Sequence, residues 1–156
     1  MSFTLEKESD NYYSKKEVWD IVKDYIPNDK LIWECFFGDG KSGEYLRELG
    51  FNVYHEDIDF FNNNEGDILI SNPPFSKRKE VFTRLKELDK PFMMVMFPIV
   101  LSCKWFLDLD LDIQIIIPKK RPKFYHLGLD KKNYTPNGGT WYFCYKMNLP
   151  KDIIVI

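Results

Sequence analysis

The sequence predicts an α/β domain, with a mostly parallel, doubly covered sheet and an antiparallel hairpin at its C-terminal end. Three observations carry that expectation. Short, continuously apolar runs such as Asp67–Ser71 and Pro91–Phe97 read as strands buried on both faces. Helix-patterned segments alternate with these runs as far as Leu107. The last two long runs, Asp112–Ile117 and Thr140–Met147, have no helix between them, so they should pair antiparallel.

From the N-terminus, the first ten residues are polar and read as loose. Ser14-Lys15-Lys16-Glu17 has the form of a capping box opening a helix, with Val18, Trp19, Ile21, Val22 and Tyr25 at helical spacing and Pro27 as the stop. Leu31–Cys35 reads as a buried strand, the segment from Lys41 to Leu49 as a helix, and Gly50 as its C-terminal stop. A second strand is expected from Asn52 to Glu56 and a third from Asp67 to Ser71, joined by the polar link 62–66. Lys77 to Leu88 reads as a helix, Pro91 to Phe97 as a strand, Leu101 to Leu107 as a helix and Ile153 to Ile156 as a last strand.

With 156 residues, 44% hydrophobic and 29% charged, the chain suits one domain over 1–156, without a separate target-recognition domain. The absence of alanine beside 17% aromatic residues points to an A+T-rich coding genome, viral or bacterial. A net charge of -2 excludes a global basic field, so a nucleic-acid partner would be held by local patches. Three cysteines without CxxC spacing argue against a disulfide framework and for a reducing, cytoplasmic setting. His55 and His126 lack partners at zinc-ligand spacing, so no metal is expected. The longest apolar run, Phe92–Leu101, contains Pro98 and is too short to cross a bilayer, so no membrane is expected either.

Ligands of open α/β sheets bind beyond the carboxyl ends of the strands, and three informative segments fall there. Gly38-Asp39-Gly40-Lys41-Ser42-Gly43 is a G-x-G-x-x-G at a strand-to-helix junction, where glycine lets a ligand approach the backbone and the helix amides. Asp57, 19 positions past Gly38, suits the hydroxyls of a ribose. A P-loop is excluded, because Cys35 stands where its first glycine is required. Glu34 at the end of the first strand would repel a pyrophosphate but suits an ammonium, which favours S-adenosylmethionine over a nicotinamide dinucleotide. The third segment is Asn72-Pro73-Pro74-Phe75. Its prolines fix the backbone and remove two donors, leaving the Asn72 side-chain oxygen and the Pro73 carbonyl to accept from an amino group. Phe75 adds a flat face for a base, or else simply packs inward.

These residues resemble the class I S-adenosylmethionine-dependent amino-methyltransferases, particularly the adenine-N6 enzymes of DNA and RNA. Glu34-Cys35-Phe36-Phe37-Gly38-Asp39-Gly40 is similar to their cofactor motif, with Cys35 replacing a proline. Asp67–Phe75 is similar to their catalytic strand and turn, and Tyr12-Tyr13-Ser14 to the segment that closes over the methionine end of the cofactor. The likeness runs from about Asn11 to Met147; the usual acidic motif on a third strand between Asp59 and Asp67 is missing or compressed. It implies a Rossmann-like sandwich, with S-adenosylmethionine held by Tyr13, Ser14, Glu34, Phe36, Gly38, Gly40, Asp57, Ile58 and Asn72. Catalysis is implied at Asn72, Pro73, Pro74 and Phe75, with methyl transfer to adenine N6 in DNA. RNA and protein glutamine are alternative acceptors, and a non-catalytic nucleic-acid-binding subunit is the alternative outside the enzymes. A dehydrogenase ranks behind these, since no room remains for a substrate domain.

The segment from Pro118 to Gly139 carries Lys119, Lys120, Arg121, Lys123, Lys131 and Lys132 among Phe124, Tyr125 and Tyr134, and Lys77 and Arg78 follow the Asn72 turn. Such cations neutralise phosphates and such rings stack on bases, so this hairpin is the expected nucleic-acid contact. Single-stranded DNA is as acceptable a partner as duplex. A homodimer or a partner subunit is the expected aid to target recognition.

Overall fold

Alternate residues of the central strands divide between two cores. Ile68 and Ile70, Met93 and Val95, and Tyr142 and Cys144 face one side; Leu69, Phe92, Met94, Met96 and Phe143 face the other. Side chains of a strand point alternately up and down, so this sheet is buried on both faces, as uninterrupted apolar runs require. The computed structural model describes residues 12–126, 131–136 and 138–156. The polar N-terminal stretch read as loose lies outside the described residues.

In chain order, the strands are β1 (Tyr12–Ser14), β2 (Leu31–Trp33), β3 (Asn52–Tyr54), β4 (Ile68–Ser71), β5 (Phe92–Met96), β6 (Ile113–Ile117), β7 (Phe124–His126), β8 (Lys131–Tyr134), β9 (Trp141–Tyr145) and β10 (Ile153–Val155). The α-helices are α1 (Lys16–Asp20), α2 (Lys41–Glu48), α3 (Arg78–Leu88) and α4 (Lys104–Asp108). Seven strands form the main sheet in the order β10-β6-β9-β5-β4-β2-β3. Only β9 is reversed: it runs antiparallel to β5 and β6, whereas the remaining neighbours are parallel. The expected C-terminal antiparallel pair is therefore β6–β9, and β10 extends the sheet beyond it. Between Asp59 and Ile68 only a short 3-10 turn, Phe60–Asn62, is present, so β3 forms the sheet edge.

The start of the chain departs from expectation. Ser14 does not cap a helix; it ends β1, paired opposite Phe124. Lys15 stands at the N-cap and its side chain makes no capping hydrogen bond, and α1 is only five residues long. The Glu17 carboxylate, expected to reach back to the cap, accepts from the Lys123 backbone N–H at 2.8 Å instead. Pairing with β7 satisfies several backbone groups at once, more than a capping box can. The result is a second, antiparallel sheet of order β1-β7-β8, beside the carboxyl ends of the main strands. Among the described residues, no helix is long and apolar enough to cross a membrane.

Candidate active site

The end of β2 and the turn after it form one wall of a cavity of about 250 Å³ at the carboxyl edge of the sheet. Tyr13 and Ser14 of β1, Glu34, Phe36, Gly38, Asp57, Asn72, Pro73 and Pro74 line it, together with Phe37, Asp39 and Ser42. The structure thus brings together most of the residues that the sequence singles out. Gly38 has φ +59°, and a Cβ there would press to 3.3 Å from the Tyr13 ring. Gly40 does not line the cavity; it stands at the N-cap of α2 with φ +84° and bends the chain into the helix. Gly43 serves packing, because a Cβ there would fall 2.0 Å from His55 Nδ1. His55 is buried, burial lowers its pKa, and its ring stacks on Phe37 at 4.6 Å.

Glu34 is fully buried. Its carboxyl accepts from Ser42 Oγ, Ser71 Oγ and the Phe36 N–H, and Ser42 in turn accepts from Trp19 Nε1 at 2.8 Å. These donors favour the carboxylate, but burial outweighs them and raises the pKa to about 7. Ser42 and Ser71 escaped the sequence reading. Ser42 occupies a variable position of the glycine motif, and Ser71 counted only as the end of a strand, so no pattern marked either.

Asn72 Nδ2 donates to the Tyr12 carbonyl at 3.3 Å, which orients the amide, while Asn72 Oδ1 is buried and has no hydrogen-bond partner. Ser14 Oγ is likewise buried and unpartnered. An unpaired buried acceptor costs free energy unless a ligand donates to it. Asp57 is exposed at the cavity mouth. Ile58 lies outside this cavity, in an adjoining hollow of about 300 Å³ that shares Phe36, Phe37 and Pro74 with it and adds Phe61 and Lys77. A third hollow, about 350 Å³ along the outer face of α3, shares only Phe61 with these two.

Three expected contacts are corrected. Phe75 offers no free face: it is 1% exposed, packed on Phe97 with ring centroids 4.1 Å apart and on Tyr12 at 6.1 Å. Phe124 is also fully buried, edge-on to Tyr12 at 6.3 Å, so it belongs to the core. Arg78 is committed to the turn, its Nη1 donating to the Phe75 carbonyl at 2.8 Å. The two rings share one cause, since a ring among apolar neighbours gains more by packing than by facing water, whereas the half-buried Arg78 is drawn in by its bond to the Phe75 carbonyl.

Lys77, Lys119, Lys120, Arg121 and Lys123 are exposed, and none makes an ion pair among the described residues. Tyr125 is half-buried in β7, opposite Tyr13 of the cavity wall, so the hairpin does adjoin the cavity. The side chains of Lys131, Lys132 and Tyr134 lie outside the described residues. No protein-family model matches the chain, and no curated protein is significantly similar to it. The functional reading therefore rests on the chemistry of the site.

Proposed function

We propose that the chain is an S-adenosylmethionine-dependent methyltransferase acting on the N6 amino group of adenine in DNA. The observation that carries this reading is the Asn72 amide, tied through Nδ2 to Tyr12 and left with a buried, unpaired Oδ1 on the same cavity as Glu34. A sheet of this order, with one reversed strand between two parallel ones, is compatible with the Rossmann-like sandwich of class I methyltransferases.

The residues fit the cofactor. Glu34 suits an ammonium, whose charge would replace the solvation its carboxylate lacks. Ser14 Oγ is free to bond the methionine end, the Gly38 turn lets a ligand approach the protein backbone, and Asp57 suits ribose hydroxyls. Ile58, Phe61 and Pro74 provide apolar walls for a flat base in the adjoining hollow. When bound, S-adenosylmethionine supplies an electrophilic methyl group on a sulfonium centre.

The protein's part is to prepare the nucleophile. The amino nitrogen of adenine has its lone pair delocalised into the ring. Asn72 Oδ1 and the Pro73 carbonyl accept its two N–H bonds, holding the nitrogen pyramidal with the lone pair directed at the methyl carbon. Neither group is basic enough to keep a proton, so the proton shed after transfer leaves to solvent. The contribution is positioning and electrostatics, with no covalent enzyme intermediate. In a duplex the adenine must first leave the stack. The exposed cations beside the cavity suit the phosphates.

The test is incubation with labelled cofactor and DNA, with RNA and a glutamine peptide as parallel acceptors, followed by hydrolysis to nucleosides or amino acids. N6-methyladenine from DNA is expected. Label only in RNA or glutamine changes the acceptor; folded, cofactor-binding protein that transfers no label overturns the reading.

A further inference from the structure

The cavity beside Asn72 does not extend over the Phe75 ring. It is lined by Asn72, Pro73 and Pro74 but by neither Phe75 nor Phe97. The parallel register of β4 and β5 pairs Ser71 with Met94, which brings Phe97, three residues on, level with Pro74. There the half-buried Phe97 ring covers Phe75 at a centroid separation of 4.1 Å and a tilt of 39°. At that separation the two rings are in direct contact and one covers the other. Phe75 follows the Asn72-Pro73-Pro74 turn directly, so its ring is the aromatic face next to the turn for a planar group bonded through its amine to Asn72 Oδ1 and the Pro73 carbonyl.

We infer that Phe97 occupies the seat of the acceptor base and is a specificity-determining residue, exchanged ring for ring when a planar aromatic amine binds on Phe75. The inference rests on the methyltransferase reading and deepens it. The seat fits a nucleobase, which replaces the stacking contact it breaks; an aliphatic amide such as glutamine does not replace it. Phe97 directly precedes the 3-10 segment Pro98–Ser102 and is itself only partly covered, so its ring has solvent to move into.

The experiment measures kcat and KM for an adenine-containing single strand, and cofactor affinity by calorimetry, in wild type, Phe97→Ala, Phe97→Leu and Phe97→Trp. An exposed aromatic contact corresponds to about a two- to tenfold change in an equilibrium constant, so Phe97→Ala should lower the acceptor KM by about that factor. Phe97→Leu should lower it less and Phe97→Trp should raise it, with cofactor affinity unchanged throughout. A merely structural Phe97 would give losses in kcat and stability without this ordering of KM. If Phe97→Ala does not fold, the opposite shifts in the leucine and tryptophan variants decide. Adenine methylation with a KM indifferent to residue 97, or raised by both alanine and leucine, overturns the seat alone. Absence of cofactor binding and methyl transfer in wild type overturns the methyltransferase reading, and the seat with it.

Discussion

On one side of Asn72 the crevice is a cavity of about 250 Å³ with unpaired polar atoms on its wall; on the other it is filled by the rings of Phe75 and Phe97. The polar side is already shaped, because Glu34 is held by Ser42 and Ser71, and Gly38 and Gly43 let backbone and helix approach closely. The apolar side is held shut by packing that opens only if another ring takes its place. A cationic cofactor and a flat acceptor would thus enter by different physics, one by electrostatic complementarity and one by exchange of stacking contacts.

The largest expected effect falls where the two sides meet. Replacing Asn72 with Ala removes one of the two acceptors for the reacting amine and should lower kcat by at least about 10²–10³-fold, the usual scale for one preorganised transition-state contact. Cofactor affinity should stay within a few-fold by calorimetry. Wild-type turnover in this variant would break the division, because the amide would then belong to neither side's chemistry.

Glu34→Gln probes the cofactor side alone. Losing a buried charge partner should weaken the cofactor by about 10²-fold or more, whereas KM for the acceptor should hardly move. The same change should stabilise the unliganded fold in alkali. The folded pKa of about 7 lies above the unfolded value near 4.5, so the folded state binds more protons between them and stability falls as pH rises through that window. At about 1.36 kcal/mol per unit, ionised Glu34 costs about 3 kcal/mol above pH 7, and the glutamine variant should be more stable there by an amount of that order. Denaturant melts at pH 5 and pH 8 check the sign. Cofactor affinity in wild type should correspondingly fall as pH drops below 7.

The two sides also differ in how well the sequence announced them. The glycine turn, Glu34, Asp57 and Asn72 were legible because their roles follow from backbone geometry and charge at fixed spacing, which chain order preserves. The burial of Phe75 and Phe124 was not legible, because whether a ring is covered depends on partners far along the chain, here Phe97 and Tyr12. β1, β7 and β8 were missed for the same reason: they are strands through their pairing in the small sheet, where β1 meets β7 more than a hundred positions away. The proposed capping box at Ser14 lost to pairing with Phe124, a contact more than a hundred positions away. Ser42 and Ser71 matter only through a buried carboxylate that both reach.

Gly43→Ala tests the packing that keeps the cofactor side in shape. Its Cβ would collide with the His55 ring, so α2 or His55 must shift; overpacking of this kind costs about 1–3 kcal/mol. A Tm lower by several degrees is expected, with weaker cofactor binding, and adding His55→Ala should recover most of both. Failure of the double variant to recover would mean that the close approach of α2 to β3 is not what Gly43 provides.

The smallest effect is expected at the outer rim of the acceptor side. Lys120 is exposed at the end of β6 and has no ionic partner among the described residues, whereas Lys104 on α4 is paired with Asp108 at 2.6 Å. If Lys120 neutralises a phosphate, Lys120→Gln should weaken binding of all oligonucleotides about equally and reduce the slope of log K against log salt by about 0.7 for a single strand or 0.9 for a duplex. Lys104→Gln should leave the slope unchanged, and the Lys120 change should leave cofactor affinity unchanged. Anisotropy titrations over a range of salt concentrations separate these outcomes. An unaltered slope for Lys120→Gln would remove Lys120 from the acceptor side, leaving Phe75 and the Asn72 turn to hold the acceptor without a phosphate contact at that position.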